Sequence, residues 1–239
     1  MVAIIARCIK TKYITMRYFL SKIYAVLYKE IYSELRSRYA FSSMILFIVI
    51  TISTISFTMA GDTISNELAS ALLWIVIFFG AMTGLSRTFV AEEERGTSLL
   101  LKLSSKPIHV YIGKLLYTFI FGLLLNSLAV ILFQIFLSGI IVKNQLLFWT
   151  MILISSLGIS ACITAIAAII SKAHSKGSLF PVLSFPLLLP LTLLGCETIS
   201  MALYGARFED AFSNIIVLIS YSIVMITVSI MVFEFIWND

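Results

Sequence analysis

The sequence predicts an all-α membrane protein: six transmembrane helices, an interfacial amphipathic helix ahead of the first, and a short cytoplasmic helix between spans 2 and 3. Three observations carry this. Of 239 residues, 60% are hydrophobic and only 12% charged, where soluble domains are about 25% charged. A span needs about 20 mostly apolar residues, and windows of that kind run over 40–60, 68–86, 115–138, 146–171, 178–206 and 213–236. The intervening loops differ sharply in basic content.

That difference sets the expected orientation. Of the 17 Lys and Arg, eight precede the first span (Arg7, Lys10, Lys12, Arg17, Lys22, Lys29, Arg36 and Arg38). Arg87, Arg95, Lys102, Lys106 and Lys114 follow the second, and Lys172 and Lys176 the fourth. Only Lys143 and Arg207 fall on the other side. The positive-inside rule therefore puts both termini, and the loop over 90–110, in the cytoplasm of a multi-pass inner-membrane protein. The net charge of +5 follows from this topology and its attraction to anionic lipid. No basic groove or aromatic-basic module points to nucleic acid.

Residues 1–21 are basic and mildly apolar, without the uninterrupted core and small-residue site of a cleavable leader. They are read as an extension, with Met16 as an alternative start. Residues 22–38 follow as an amphipathic helix. Ile23, Leu27, Ile31 and Leu35 recur every four residues, Tyr24, Tyr28 and Tyr32 form a stripe beside them, and Lys22, Lys29 and Arg36 define a charged face. That pattern suits a helix in the interface plane, tyrosines at headgroup depth and cations toward water and phosphate. The permease domain occupies 39–239.

The loop "VAEEERGTSLLLKLSSKP" is patterned beyond what a connection needs. Glu92, Glu93 and Glu94 precede Gly96 and Thr97, and 98–105 read as a short helix carrying Leu99, Leu100, Leu101 and Leu103. Acidic residues ahead of a helix suit its dipole, Thr97 can cap it, and Pro107 is expected to end it. Four leucines on so short a helix need an apolar partner. The three carboxylates would be repelled by an anionic leaflet, so a protein partner is favoured over lipid.

Within the spans, charge is scarce. Lys114 and Glu234 fall at span ends, where they can snorkel, and Glu197 lies in the outer part of the fifth. Asn126, Gln134 and Tyr221 are expected to hydrogen-bond within the bundle. This poverty disfavours an ion-coupled carrier or channel. Gly80 and Gly84 form a GxxxG, and Gly158 with Cys162 a looser small pair, permitting close helix approach within the chain or across a dimer. Pro181, Pro186 and Pro190 predict a kinked or broken fifth helix, or a re-entrant turn near Gly195–Glu197.

No catalytic constellation is present, so the chain is not expected to be an enzyme. It has no GxxxxGK[ST] phosphate loop. Cys8, Cys162 and Cys196 form no metal or disulfide pattern. His109 and His174 read as isolated, solvated loop residues. Trp74, Trp149 and Trp237 are scattered, with no tryptophan-rich outer loop for a flat cofactor.

In order, these pieces resemble the permeases of ABC-2-type (type V) exporters. From about Leu27 onward the chain resembles the CcmB family, haem exporter protein B of cytochrome c maturation. "LYKEIYSELRSR" matches that family's opening at Glu30, Glu34, Leu35, Arg36 and Arg38, and "LSRTFVAEEERGTSLLLKL" its loop at Leu85, Arg87, Phe89, Glu92–Glu94, Gly96 and Thr97. "FPLLLPLTLLG" keeps its more specific proline spacing at Pro186, Leu187, Pro190 and Gly195. Two departures fall in the loop: Ser86 stands where the family usually has an acid, and Leu99–Leu100 replace a common Glu-Gln.

The resemblance implies a permease subunit of an ABC transporter, working with a second copy of itself and two copies of a CcmA-type cytoplasmic ATPase. Glu92, Glu93, Glu94, Gly96, Thr97, Leu99, Leu100, Leu103 and Pro107 would couple to that ATPase. Pro181, Pro186, Pro190 and Gly195 would form a hinge, Gly80 and Gly84 a packing face, and Tyr24, Tyr28, Glu30, Tyr32, Glu34 and Arg36 the interfacial helix. Further implied partners are a CcmC-type tryptophan-rich haem-handling protein, a small single-span CcmD-type subunit and, indirectly, the haem chaperone CcmE. No cofactor is expected on this chain; ATP belongs to the partner ATPase, and haem to the complex. An ABC-2 permease for a drug, lipid or polysaccharide is the alternative.

Overall fold

The computed structural model describes the backbone except at residues 1, 60–63, 86–87, 95, 138–139, 173–175 and 239. Side chains are further left undescribed at 2–16, 39–40, 94, 176–178 and 238. Ser86, Arg87, Arg95 and His174 thus lie outside the described residues, as do the side chains of Cys8, Glu94 and Lys176.

Among the described residues the chain is entirely helical apart from its turns: α1 (Val2–Ser37), α2 (Tyr39–Thr58), α3 (Asn66–Leu85), α4 (Val90–Glu94), α5 (Ser98–Ser104), α6 (Pro107–Phe136), α7 (Gln145–Ser171), α8 (Lys176–Tyr204) and α9 (Phe212–Asn238). Six of these, α2, α3, α6, α7, α8 and α9, are long and apolar enough to cross a membrane. The helix expected over 22–38 is the C-terminal half of a 36-residue helix that starts at Val2. Pro107 does not merely stop the preceding helix. It occupies the first turn of α6, where its missing amide costs nothing and its fixed φ suits the helix.

α7 is the central post, packed against α6, α8 and α9. Apolar side chains gain little by leaving lipid for one another, so close backbone approach must hold such a bundle. Accordingly α7 buries a run of small residues, among them Ser155, Ser156, Gly158, Ser160, Ala161 and Cys162. A Cβ at Gly158 would lie 2.6 Å from Leu191 of α8 and 2.8 Å from Ser222 of α9. Polar groups also cross between helices. Asn126 Nδ2 donates to Ser156 Oγ at 2.9 Å, and the Thr118 and Thr164 hydroxyls meet at 2.7 Å. Gln134 differs from expectation: its Nε2 is buried without a partner.

Gly80 and Gly84 face α2 within the chain. A Cβ at Gly84 would meet Met44 Sδ at 1.7 Å, and one at Gly80 would rest 3.7 Å from Ile48. α8 runs unbroken from Lys176 to Tyr204 through all three prolines, which excludes a re-entrant turn at Gly195–Glu197. Two hydroxyls bond to carbonyls in the proline-bearing stretch, one from α9 and one from α8 itself. The Tyr221 hydroxyl of α9 donates at 2.6 Å to the Leu187 carbonyl, one turn before Pro190, and Ser184 bonds back to the Phe180 carbonyl. Gly195 is a packing notch: a Cβ there would lie 1.9 Å from Cζ2 of Trp74 on α3.

These clearances predict a graded series. Gly195→Ala drives a methyl into a rigid indole, and Gly113→Ala places one 2.7 Å from Val26 Cβ and 3.1 Å from the Ile23 carbonyl of α1. Each should cost about 1–3 kcal/mol by overpacking, read as a lowered Tm in detergent. Gly80→Ala should leave the Tm nearly unchanged.

Candidate functional site

The site is the helical loop between α3 and α6, with α1 beside it. α1 ends where Arg38 adopts a left-handed conformation (φ 53°). Across this corner Glu34 Oε1 accepts the Phe41 amide of α2 at 2.9 Å, satisfying one of the donors a helix start leaves open. The corner lets α1 lie against α6, where Gly113 receives Ile23 and Val26.

α1 presents three faces. Ile23, Val26 and Glu30 are buried toward the bundle. Tyr24, Tyr28 and Tyr32 stack successively, with ring centroids 6.3 Å apart, and are exposed. The cationic face does not simply look to water, as the periodicity alone suggests. Lys22 Nζ donates to the Ser104 carbonyl of α5 at 3.3 Å, and Lys29 pairs with Glu92 of α4.

At the centre lies Lys114. The snorkelling expected of it is wrong: its side chain has no exposed surface. With α6 starting at Pro107, Lys114 sits about two turns inside the helix rather than at its border. Its Nζ lies 2.7 Å from Glu30 Oε1 of α1 and 2.9 Å from Glu92 Oε2 of α4. It also donates to the Thr88 carbonyl, at 2.5 Å, and lies 4.6 Å from the centre of the Phe89 ring. Lys29, 3.0 Å from Glu30, completes a group of two cations and two anions. Burial pushes the Glu30 carboxyl up, but Lys114 and Lys29 outweigh it and hold it below its ordinary range. Glu92 therefore faces inward, so its carboxylate braces the loop from within.

The rest of the loop is braced too. Glu93 lies 3.6 Å from Lys172 at the end of α7, and Lys102 sits 5.9 Å from the Trp237 ring centre of α9. Phe233 of α9 joins Phe89, Tyr111 and Trp237 in an aromatic cluster nearby. Gly96 makes the turn between α4 and α5 at φ 66°, in open space. Thr97 does not cap α5 with its side chain; its hydroxyl donates back to the Glu92 carbonyl at 3.4 Å. On α5, Leu101 packs against the core, while Leu99, Leu100 and Leu103 are 66%, 67% and 80% exposed. A cavity of about 1220 Å³ opens between α1 and this loop, lined by Tyr28, Tyr32, Arg36, Leu100 and Tyr117 among others.

Several expected residues therefore converge here: Glu30, Glu34, Arg36, Tyr28, Tyr32, Glu92, Glu93 and the loop leucines. Pro181, Pro186, Pro190 and Gly195 do not; they belong to α8, which packs on α3, α7 and α9. The pattern missed Lys29, Thr88 and Lys114 as members of the site. It also misplaced His109, which is buried against Phe19, ring centroids 4.9 Å apart, rather than solvated in a loop. The overlooked signal was Pro107, because a helix beginning there carries His109 and Lys114 inside it.

Two outcomes follow from the ion group. Lys114→Ala leaves two buried carboxylates short of their cation and should cost about 3–5 kcal/mol, read as a large fall in Tm. Glu30 titrates lower folded than unfolded, so its contribution is full above its ordinary value of 4.5 and fades as pH falls below it. The stability gap between wild type and Glu30→Gln should therefore narrow on acidification through that range.

Among curated proteins, no sequence matches significantly. The family model described as CcmB protein matches residues 21–235, which takes in the C-terminal half of α1, the braced loop and all six long apolar helices. The chain therefore belongs to the CcmB family, permease subunits of the cytochrome c maturation ABC transporter.

Proposed function

We propose that this chain couples ATP hydrolysis by a separate, CcmA-type ATPase to haem export or to release of the haem-loaded periplasmic chaperone. One observation carries the coupling role: α5 turns Leu99, Leu100 and Leu103 outward while Glu92, Glu93 and the Ser104 carbonyl tie the loop to the long helices. An exposed apolar face on a seven-residue helix is costly unless covered. Bracing behind it lets a push on α5 move whole helices rather than bend the loop.

In this reading both termini, α1, α4 and α5 lie in the cytoplasm, as the distribution of Lys and Arg favours. The ATPase covers the leucine face and enters the groove beside α1, and the permease works as a pair of copies. CcmC- and CcmD-type subunits complete the complex, which acts on the chaperone CcmE. The scarcity of histidine and tryptophan in the outer loops favours mechanical work by this chain, with haem held by its partners.

A deletion strain tests the reading. Loss of mature c-type cytochromes on a haem stain, while haem-loaded chaperone persists, is the expected result; normal cytochromes would overturn it. Leu99→Asp with Leu103→Asp should abolish co-purification of the ATPase without lowering the Tm of the isolated chain, since both side chains are exposed.

A further inference from the structure

The buried ion group does more than hold the bundle together. Lys114 needs only one carboxylate for neutrality, and Glu30 supplies it from α1 at 2.7 Å. The second, Glu92, comes from the loop at 2.9 Å and shares Lys29 with Glu30 as well. Its position matters because α5 hangs from α4. The chain turns at Gly96 (φ 66°), and the amides of Gly96 and Thr97 bond back to the Glu93 and Glu92 carbonyls at 3.2 and 3.0 Å. A force applied to the leucines of α5 therefore passes into α4, and it reaches the long helices only if α4 is itself fixed to them. Glu92 fixes it to α6 through Lys114, and to α1 both directly through Lys29 and by way of Lys114 and Glu30.

Resting on the proposed function, we infer that Glu92 and Lys114 are positioning residues of the power stroke: a loop carboxylate and a buried span cation that make α1, α4 and α6 move as one body. The pair touches neither nucleotide nor cargo. It determines how much of each ATP-driven push reaches the third span. Buried ion pairs are poor sources of net stability compared with apolar packing, and the three buried charges, Glu30, Glu92 and Lys114, cost desolvation that leucines would not. Their use here is directional, because a charge pair holds one loop residue against one helix position.

The test uses the assembled complex of permease, ATPase and partner subunits. Glu92→Gln leaves Lys114 with Glu30 and the Thr88 carbonyl, and leaves the α5 leucines intact. The expected result is a complex that assembles and hydrolyses ATP at close to the wild-type rate. Its yield of c-type cytochrome per ATP consumed should fall by about tenfold, within the usual span of coupling between sites. The charge-balanced double variant Glu92→Gln, Lys114→Met, which keeps the Lys29–Glu30 pair, should show the same loss.

An unchanged yield per ATP in either assembled variant would overturn the inference. So would a parallel fall in hydrolysis and cytochromes at constant ratio, or failure of both variants to retain the ATPase, since a purely structural or docking role predicts those. The wild-type arm separates this from the family function. If the wild-type chain fails to restore cytochromes to the deletion strain, the proposed function fails. Restoration by wild type and Glu92→Gln alike sinks only the positioning role.

Discussion

An ammonium with no exposed surface, set two turns inside an apolar helix, can stay charged only if anions are brought to it. Lys114 therefore constrains everything around it. Glu30 must come from α1, so α1 must lie against α6, and Gly113 must be small enough to admit it. Glu92 must come from α4, so the chain leaving α3 must turn at Thr88 and Phe89 and present its first helical turn inward. The left-handed Arg38 and the Glu34 cap are what allow α1 to fold back and still begin α2 cleanly. The two glutamates of the chain's opening motif thus have different physical tasks, one paired with a buried cation and one capping a helix.

The rest of the bundle is built on a different economy. In lipid, apolar surface alone does not discriminate one helix neighbour from another. The discrimination comes from notches and polar crossings: Gly84 against Met44, Gly195 against Trp74, Gly158 against Leu191 and Ser222, Thr118 against Thr164. This bundle of small contacts carries no charge at its centre. The charged group is confined to the end that bears α1, α4 and α5, where it ties the short helix α4 to the long helices α1 and α6. Soft transverse packing in the middle and rigid ties at one end suit a machine pushed from that end.

Composition and window length were enough to read six spans, because the cost of unsatisfied backbone in lipid leaves little freedom in how a chain this apolar crosses. The periodicity of 22–38 was legible for the same reason a surface helix is, and the loop leucines stood out as unplaceable without a partner. The errors have a common origin in helix boundaries. Placing the third span at 115 instead of Pro107 made Lys114 a snorkelling residue and His109 a loop residue. Three prolines suggested a kinked or broken α8, but the helix runs unbroken, and Tyr221, 34 residues beyond Leu187, ties it to α9.

What the sequence by itself determined is the class of molecule, the number of spans, the side bias of its basic residues and the family motifs, all set by local composition and spacing. What only the tertiary structure decided is which groups meet. Lys114 and Glu30 are 84 residues apart and Lys29 and Glu92 are 63 apart, and no local pattern encodes such pairings. They arise because α1 folds back over α6 and the loop after α3 closes onto both. A buried charge then has one arrangement that neutralises it.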